Sequence, residues 1–109
     1  MSRAKGNIAE DRSCEYLVEN GFTMVERNFY SRFGEIDIIA LKDEVLHFVE
    51  VKSGEDYESA IQNITPTKLS RIIKTAQVYM KKHDLSVDFT FDALVVTPHK
   101  LLLVENITL

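Results

Sequence analysis

The stretch from Gly34 to Lys52, GEIDIIALKDEVLHFVEVK, constrains this chain most. It reads as two β-strands that carry charge where strands are ordinarily apolar. Side chains of a strand alternate between its two faces. From Glu35 to Leu41 that alternation puts Glu35, Asp37, Ile39 and Leu41 on one face and Ile36, Ile38 and Ala40 on the other. Lys42 and Asp43 supply a turn, and Glu44 to Lys52 is rich in β-branched and aromatic residues, as a strand should be. In this second run Val45, His47, Val49 and Val51 share one face, and Leu46, Phe48, Glu50 and Lys52 the other. Asp37 is therefore expected beside Ile39 and Leu41, and Glu50 and Lys52 beside Leu46 and Phe48. Charges seldom occupy such positions unless they are paired or bind a metal.

Two carboxylates on adjacent strands, with a lysine two residues beyond the second, suit one kind of chemistry. Asp37 and Glu50 offer the hard oxygen ligands that Mg²⁺ or Mn²⁺ prefers. Lys52, on the face of Glu50, is placed to orient a metal-bound water or to stabilise charge growing on a phosphate. The spacing Asp37-x12-Glu50-x-Lys52 matches the PD-(D/E)xK signature of metal-dependent nucleases, with Ile36 where the proline would stand. A structural salt bridge at a strand end is the alternative use of the same residues.

The length of 109 residues bounds the chain to one domain, 1–109. Hydrophobic content of 45% and charged content of 28% are those of a globular protein with a single core. No apolar run approaches the roughly 18 residues that a membrane span requires. The N-terminus, MSRAKGNIAEDR, lacks the apolar core of a signal peptide, so a cytoplasmic protein with no membrane partner is expected. Cys14 is the only cysteine, which excludes an internal disulfide and a cysteine-based zinc cluster, and His47, His83 and His99 lack ligand spacing. The net charge of −4 counts against a strongly basic nucleic-acid binder, although the distribution of charge matters more than its sum.

Around the hairpin, the pattern predicts a helix over 6–20, stopped by Asn20-Gly21. Ala9, Ser13, Tyr16 and Leu17 form its buried stripe, with Asp11, Glu15 and Glu19 on an exposed acidic face. Glu10 falls at the edge of the buried stripe instead, which makes it a candidate third carboxylate; an acid at a helix start, favoured by the dipole, is the alternative. Residues 22–29 read as a short strand and Tyr30 to Phe33 as a turn. Phe29, Tyr30 and Phe33 cluster before the charged hairpin, where core packing or stacking on bases would use them. Residues 53–64 read as a polar loop with one helical turn. Thr65-Pro66 starts a helix that runs to about Lys82, with Leu69, Ile72, Ile73, Ala76, Tyr79 and Met80 inward. Lys68, Arg71, Lys74, Lys81 and Lys82 lie on it with no acid between residues 59 and 83, which makes it the chain's basic surface and a site for phosphate contacts. Residues 87–97 and Leu101 to Val104 read as strands, with Asp88 a strand-end charge and Asp92 a structural acceptor. The order gives an α/β domain with a mixed sheet flanked by helices.

Read together, AEDRSCEYLVENGF, RNFYSRFGEIDIIA, HFVEVKSG and TPTKLSRIIKTAQVYM, in this order, resemble the YraN-like family of small bacterial proteins. That family belongs to the restriction-endonuclease-like superfamily and is similar to archaeal Holliday junction resolvases. The resemblance covers nearly the whole chain and implies an αβββαβ nuclease core. It also implies a site in which Glu10 is the first-helix glutamate, and Asp37, Glu50 and Lys52 are the aspartate, glutamate and lysine of the PD-(D/E)xK pattern. Lys68 then matches a basic family position facing nucleic acid. Ala9 stands where the family typically has glycine. An acidic segment, Ser53-Gly54-Glu55-Asp56-Tyr57-Glu58, stands where relatives are often arginine-rich.

Two functions of different class follow. One is a Mg²⁺- or Mn²⁺-dependent nuclease on DNA, including branched or recombination intermediates. Glu10, Asp37 and Glu50 would be its metal ligands, Lys52 would complete the catalytic set, and Lys68, Arg71 and Lys74 would bind nucleic acid. A homodimer is expected if two strands are to be cut. The alternative is a non-catalytic nucleic-acid-binding or protein-interaction module that keeps the nuclease fold. The acidic segment and the net charge favour the protein-interaction form.

Overall fold

A computed structural model describes residues 5–108, with side chains from Ile8 onward. Residues 1–4, part of the stretch read above for a leader, and residue 109 lie outside the described residues. The first helix, α1 (Lys5–Glu19), ends where Asn20-Gly21 predicts. Gly21 adopts φ +89°, its N–H donates to the Val18 carbonyl, and the Phe22 N–H donates to the Leu17 carbonyl at 2.9 Å. This is the Schellman closure, and its usual apolar contact is present because Leu17 and Phe22 share one core.

Three antiparallel strands follow: β1 (Thr23–Ser31), β2 (Gly34–Lys42) and β3 (Val45–Ser53). The strand expected to end at residue 29 continues to Ser31, so Tyr30 belongs to β1 and Arg32-Phe33 alone make the turn. The next turn is Asp43-Glu44, one residue later than expected. Both residues have positive φ (51° and 65°), the backbone that a two-residue hairpin turn needs to match strand twist. A short helix α2 (Tyr57–Ile61), capped by the Asp56 carboxylate, leads to α3 (Pro66–Lys82), capped by the Thr65 hydroxyl. The chain closes with β4 (Asp88–Val96) and β5 (Leu101–Val104).

The five strands form one sheet in the order β1-β2-β3-β4-β5. Only β3 and β4 are parallel, joined by the crossover that contains α3, so the sheet is mixed. Each face has its own core. Ile72, Ala76 and Tyr79 of α3 pack on Phe29, Ile36, Ile39, Leu46, Phe48 and Phe91. Ala9 and Leu17 of α1 pack on Phe22, Ile38, Ala40, Val49, Leu94 and Val96. The expected α/β architecture, a mixed sheet flanked by helices, is what the chain adopts, and it is compatible with an αβββαβ nuclease-like core. No helix among the described residues is long and apolar enough to cross a membrane.

The strict alternation expected along β2 fails at one level. Ile36 packs under α3 with Ile39, while Ile38 and Ala40 face α1, so Ile36 and Ile38 do not share a face. β1 breaks at the same level. Arg27 pairs with Ile38 and Phe29 with Ile36, and Asn28 between them has φ 54°. A single left-handed residue in a strand turns the chain enough to put successive side chains on the same side. Asp37 is thereby released from the apolar face it was expected to share with Ile39 and Leu41.

Candidate carboxylate site

Beyond Ile38 and Val49 the β2–β3 pairing stops, and Asp37 and Glu50 stand at that opening. The backbone bond that would continue the ladder is replaced by a side chain: the Val51 N–H donates to Asp37 Oδ2 at 2.8 Å. Asp37 is buried and acts on the Glu50 carboxyl. Burial pushes Glu50 up to about 9, the hydrogen bond and charge of Asp37 push the same way, and Lys52 pulls back. Lys52 Nζ lies 3.9 Å from Glu50 Oε1. Near neutral pH the Glu50 carboxyl therefore keeps its proton, held there by burial and by the neighbouring Asp37.

Glu10 approaches from α1 and is buried, as its position at the edge of the apolar stripe predicts. Burial raises its pKa most, the hydrogen bond from Asn28 lowers it, and the charge of Asp37 raises it again. Asn28 Nδ2 lies 3.1 Å and 3.3 Å from the two Glu10 oxygens and 2.8 Å from Glu35 Oε2. Arg27 reaches Glu10 at 3.4 Å but pairs more closely with Asp11, at 2.9 Å. Asp11 is thus an ion-pair partner that orders Arg27, where a freely solvated acidic face was expected. Glu10 comes within electrostatic reach of Asp37, and Asp37 of Glu50. No group of three or more His, Cys, Asp or Glu among the described residues already stands at ligating separations.

Asn28 and Glu35 were not singled out from the sequence. An asparagine inside a strand is the signal for the first, since Asn is poor in strands and tolerant of positive φ. Glu35 shares a strand parity with Asp37, which is its signal.

The donor set suits a hard divalent cation. Among the described residues, Arg27 pairs with Glu10 and Lys52 lies beside Glu50, two cations against the carboxylates of Glu10, Glu35, Asp37 and Glu50. Glu10, Asp37 and Glu50 are the residues that could hold such a cation, since oxygen ligands are what it needs.

Lys68, Arg71 and Lys74 are exposed along α3. That helix crosses the β1–β2 turn closely. A Cβ at Gly34 would lie 3.6 Å from Arg71 Cβ, and Ser31 Oγ is 2.8 Å from Thr75 Oγ1. Lys74 Nζ lies 5.7 Å and the Arg32 guanidinium 4.8 Å from the Phe33 ring centre. The basic surface therefore passes Gly34, three residues before Asp37. The cluster of aromatic residues is divided: Phe29 is core, and Tyr30 is 68% exposed.

The remaining acids behave as the strand pattern predicts. Asp88 is exposed. Asp92 is fully buried and accepts from the Asn106 N–H at 2.9 Å, from Thr90, and from His47 Nδ1 at 2.5 Å. His47 also packs edge-on against Phe22.

Residues 9–96 match the family described as "Uncharacterised protein family UPF0102". A UPF0102 protein of Sulfurimonas denitrificans is 64% identical over the whole of both chains. One of Helicobacter pylori is 58% identical across 97% of this chain and 92% of its own length, and one of Wolinella succinogenes is 54% identical across both. With the full span of site-bearing elements inside these matches, the chain belongs to the UPF0102 family of YraN-like proteins.

Proposed function

We propose that this protein is a divalent-metal-dependent nuclease of the PD-(D/E)xK kind, acting on DNA. The observation that carries the reading is the Asp37–Glu50 pair at the opening between β2 and β3, with Lys52 Nζ 3.9 Å from Glu50. Asp37 and Glu50 are the residues that would hold Mg²⁺ or Mn²⁺, with Glu10 as a third carboxylate. A cation bound there supplies Lewis acidity toward a phosphoryl oxygen and lowers the pKa of bound water.

The chain's own groups do the rest. Lys52 orients the attacking water and neutralises charge developing on the phosphate. The Val51 N–H fixes one Asp37 oxygen, leaving the other for the site. Exposed Lys68, Arg71 and Lys74 hold the phosphate backbone beside the carboxylates. Branched DNA and recombination intermediates are the substrate class proposed, cut by a homodimer.

The test is a Mg²⁺ and Mn²⁺ titration followed through backbone amide shifts, with Asp37→Asn as control. Saturable shifts centred on residues 10, 37 and 50, lost in the variant, support the reading. No localised shift at millimolar metal removes the metal-dependent reaction and leaves a non-catalytic module bound through α3.

A further inference from the structure

We infer that Asn28 is the positioning residue of the carboxylate site, holding Glu10 and Glu35 at fixed places so that Glu10 completes a divalent-cation site with Asp37 and Glu50. The inference rests on the metal-dependent reading above and deepens it.

Geometry makes the case. Arg27 and Asn28 are consecutive in β1, yet both reach Glu10, at 3.4 Å and 3.1 Å. In a regular strand, consecutive side chains point to opposite faces, so one would turn away from α1. Both reach it because Asn28 has φ 54°. Asparagine is among the few non-glycine residues that take this conformation readily. The same residue then supplies the contact. Its amide nitrogen has two protons and faces only acceptors, Glu10 Oε1 and Oε2 and Glu35 Oε2, which fixes which end of the amide is which.

Charge explains why an amide stands there. A lysine or arginine would hold two carboxylates more strongly, but would cancel the negative field that attracts a cation. A neutral donor orders Glu10 and leaves that field intact. Arg27 does not replace it, since its closer partner is Asp11 at 2.9 Å. Outer partners of ligating carboxylates typically set metal affinity by about 10- to 100-fold.

The experiment compares Mn²⁺ affinity, by calorimetry, in the wild-type protein, Asn28→Gly and Arg27→Ala, with melting temperatures alongside. Glycine keeps the positive φ and removes only the amide. Asn28→Gly is expected to weaken Mn²⁺ at least about tenfold while melting cooperatively, and Arg27→Ala to weaken it less. Wild-type affinity in a folded Asn28→Gly overturns the role of Asn28 and leaves the nuclease reading standing. Absence of saturable Mn²⁺ binding in the wild type overturns both. If Asn28→Gly does not fold, a crystal structure of the shape-matched Asn28→Asp decides. There Glu10 is expected to have swung away from Asp37, and an unmoved Glu10 overturns the inference.

Discussion

Asn28 stands across the β1–β2 ladder from Asp37, between the Arg27–Ile38 and Phe29–Ile36 pairs, and both strands lose their alternation at this level. The break makes a place where a carboxylate can leave the core. On one side of it Phe29 and Ile36 pack under α3. On the other Arg27 and Ile38 face α1, and Glu10 and Asp37 come within electrostatic reach.

The Glu50 proton makes stability depend on pH. In the folded protein its carboxyl is pushed up to about 9, against an ordinary value of 4.5. Across that window the folded state holds a proton that the unfolded chain has released. The unfolded state thus binds fewer protons, and stability falls as pH rises. Glu10, raised by burial, contributes with the same sign. The metal-free protein is expected to melt highest near the lower end of the window and lowest near the upper end. Glu50→Gln should flatten that slope, and so should saturating Mg²⁺, which replaces the proton and stabilises by mass action. Scanning calorimetry in chelator, then in Mg²⁺, checks this. A wild-type melting temperature that does not change across the window contradicts it.

Lys52 separates chemistry from binding. It is half-buried beside Glu50, and Lys52→Ala should fold and should still show the metal-dependent amide shifts. Cleavage of branched DNA should fall at least about a hundredfold, as for loss of one positioned group at a charge-developing centre. Single-turnover cleavage measures it. Cleavage at the wild-type rate removes Lys52 from the mechanism.

Much of this site was legible because strands write their faces with period two, and charges inside such a pattern stand out. Asp37, Glu50 and Lys52 were found that way, and Glu10 by its helical phase. Helix ends were legible from local chemistry, with Asn20-Gly21 and Thr65-Pro66 marking stops and starts that the backbone uses. The alternation break was missed, because its one trace in the sequence is Asn28 itself, an asparagine inside a strand, and its neighbours give no sign of the changed backbone angle. The turn at Asp43-Glu44 was misplaced by one residue for a related reason. Positive φ at two non-glycine positions leaves little trace in residue type. The His47–Asp92 pair was invisible because its members lie on different, parallel strands, far apart in sequence.

That pair ties the C-terminal segment to the sheet. Asp92 is fully buried and holds His47, Thr90 and the Asn106 N–H at once. Asp92→Ala leaves those donors in the interior without an acceptor and should destabilise by about 3 kcal/mol or more. Asp92→Asn keeps the shape, accepts from the Asn106 N–H and can donate to the His47 ring, so about 1 kcal/mol is expected. Urea unfolding of the two variants measures the difference. Equal losses would show that the pair acts through packing alone.

The basic face of α3 has a signature of its own, independent of catalysis. Lys68, Arg71 and Lys74 are exposed, and α3 reaches the carboxylate end at Gly34, where Arg71 Cβ comes close to the strand backbone. DNA lying along this face would set its phosphates on the three cations with the site at their end. Each phosphate neutralised releases counterions, and the slope of log K against log salt changes by about 0.9 per contact. Replacing all three residues with glutamine should weaken DNA binding and reduce that slope by about 2 to 3, with Mn²⁺ affinity unchanged because none of the three touches the carboxylates. Fluorescence anisotropy over a salt series, in chelator and in Mn²⁺, measures both. An unchanged slope would place the nucleic acid on another surface, whereas a reduced slope together with lost cleavage would join this face to the carboxylate site as one interface.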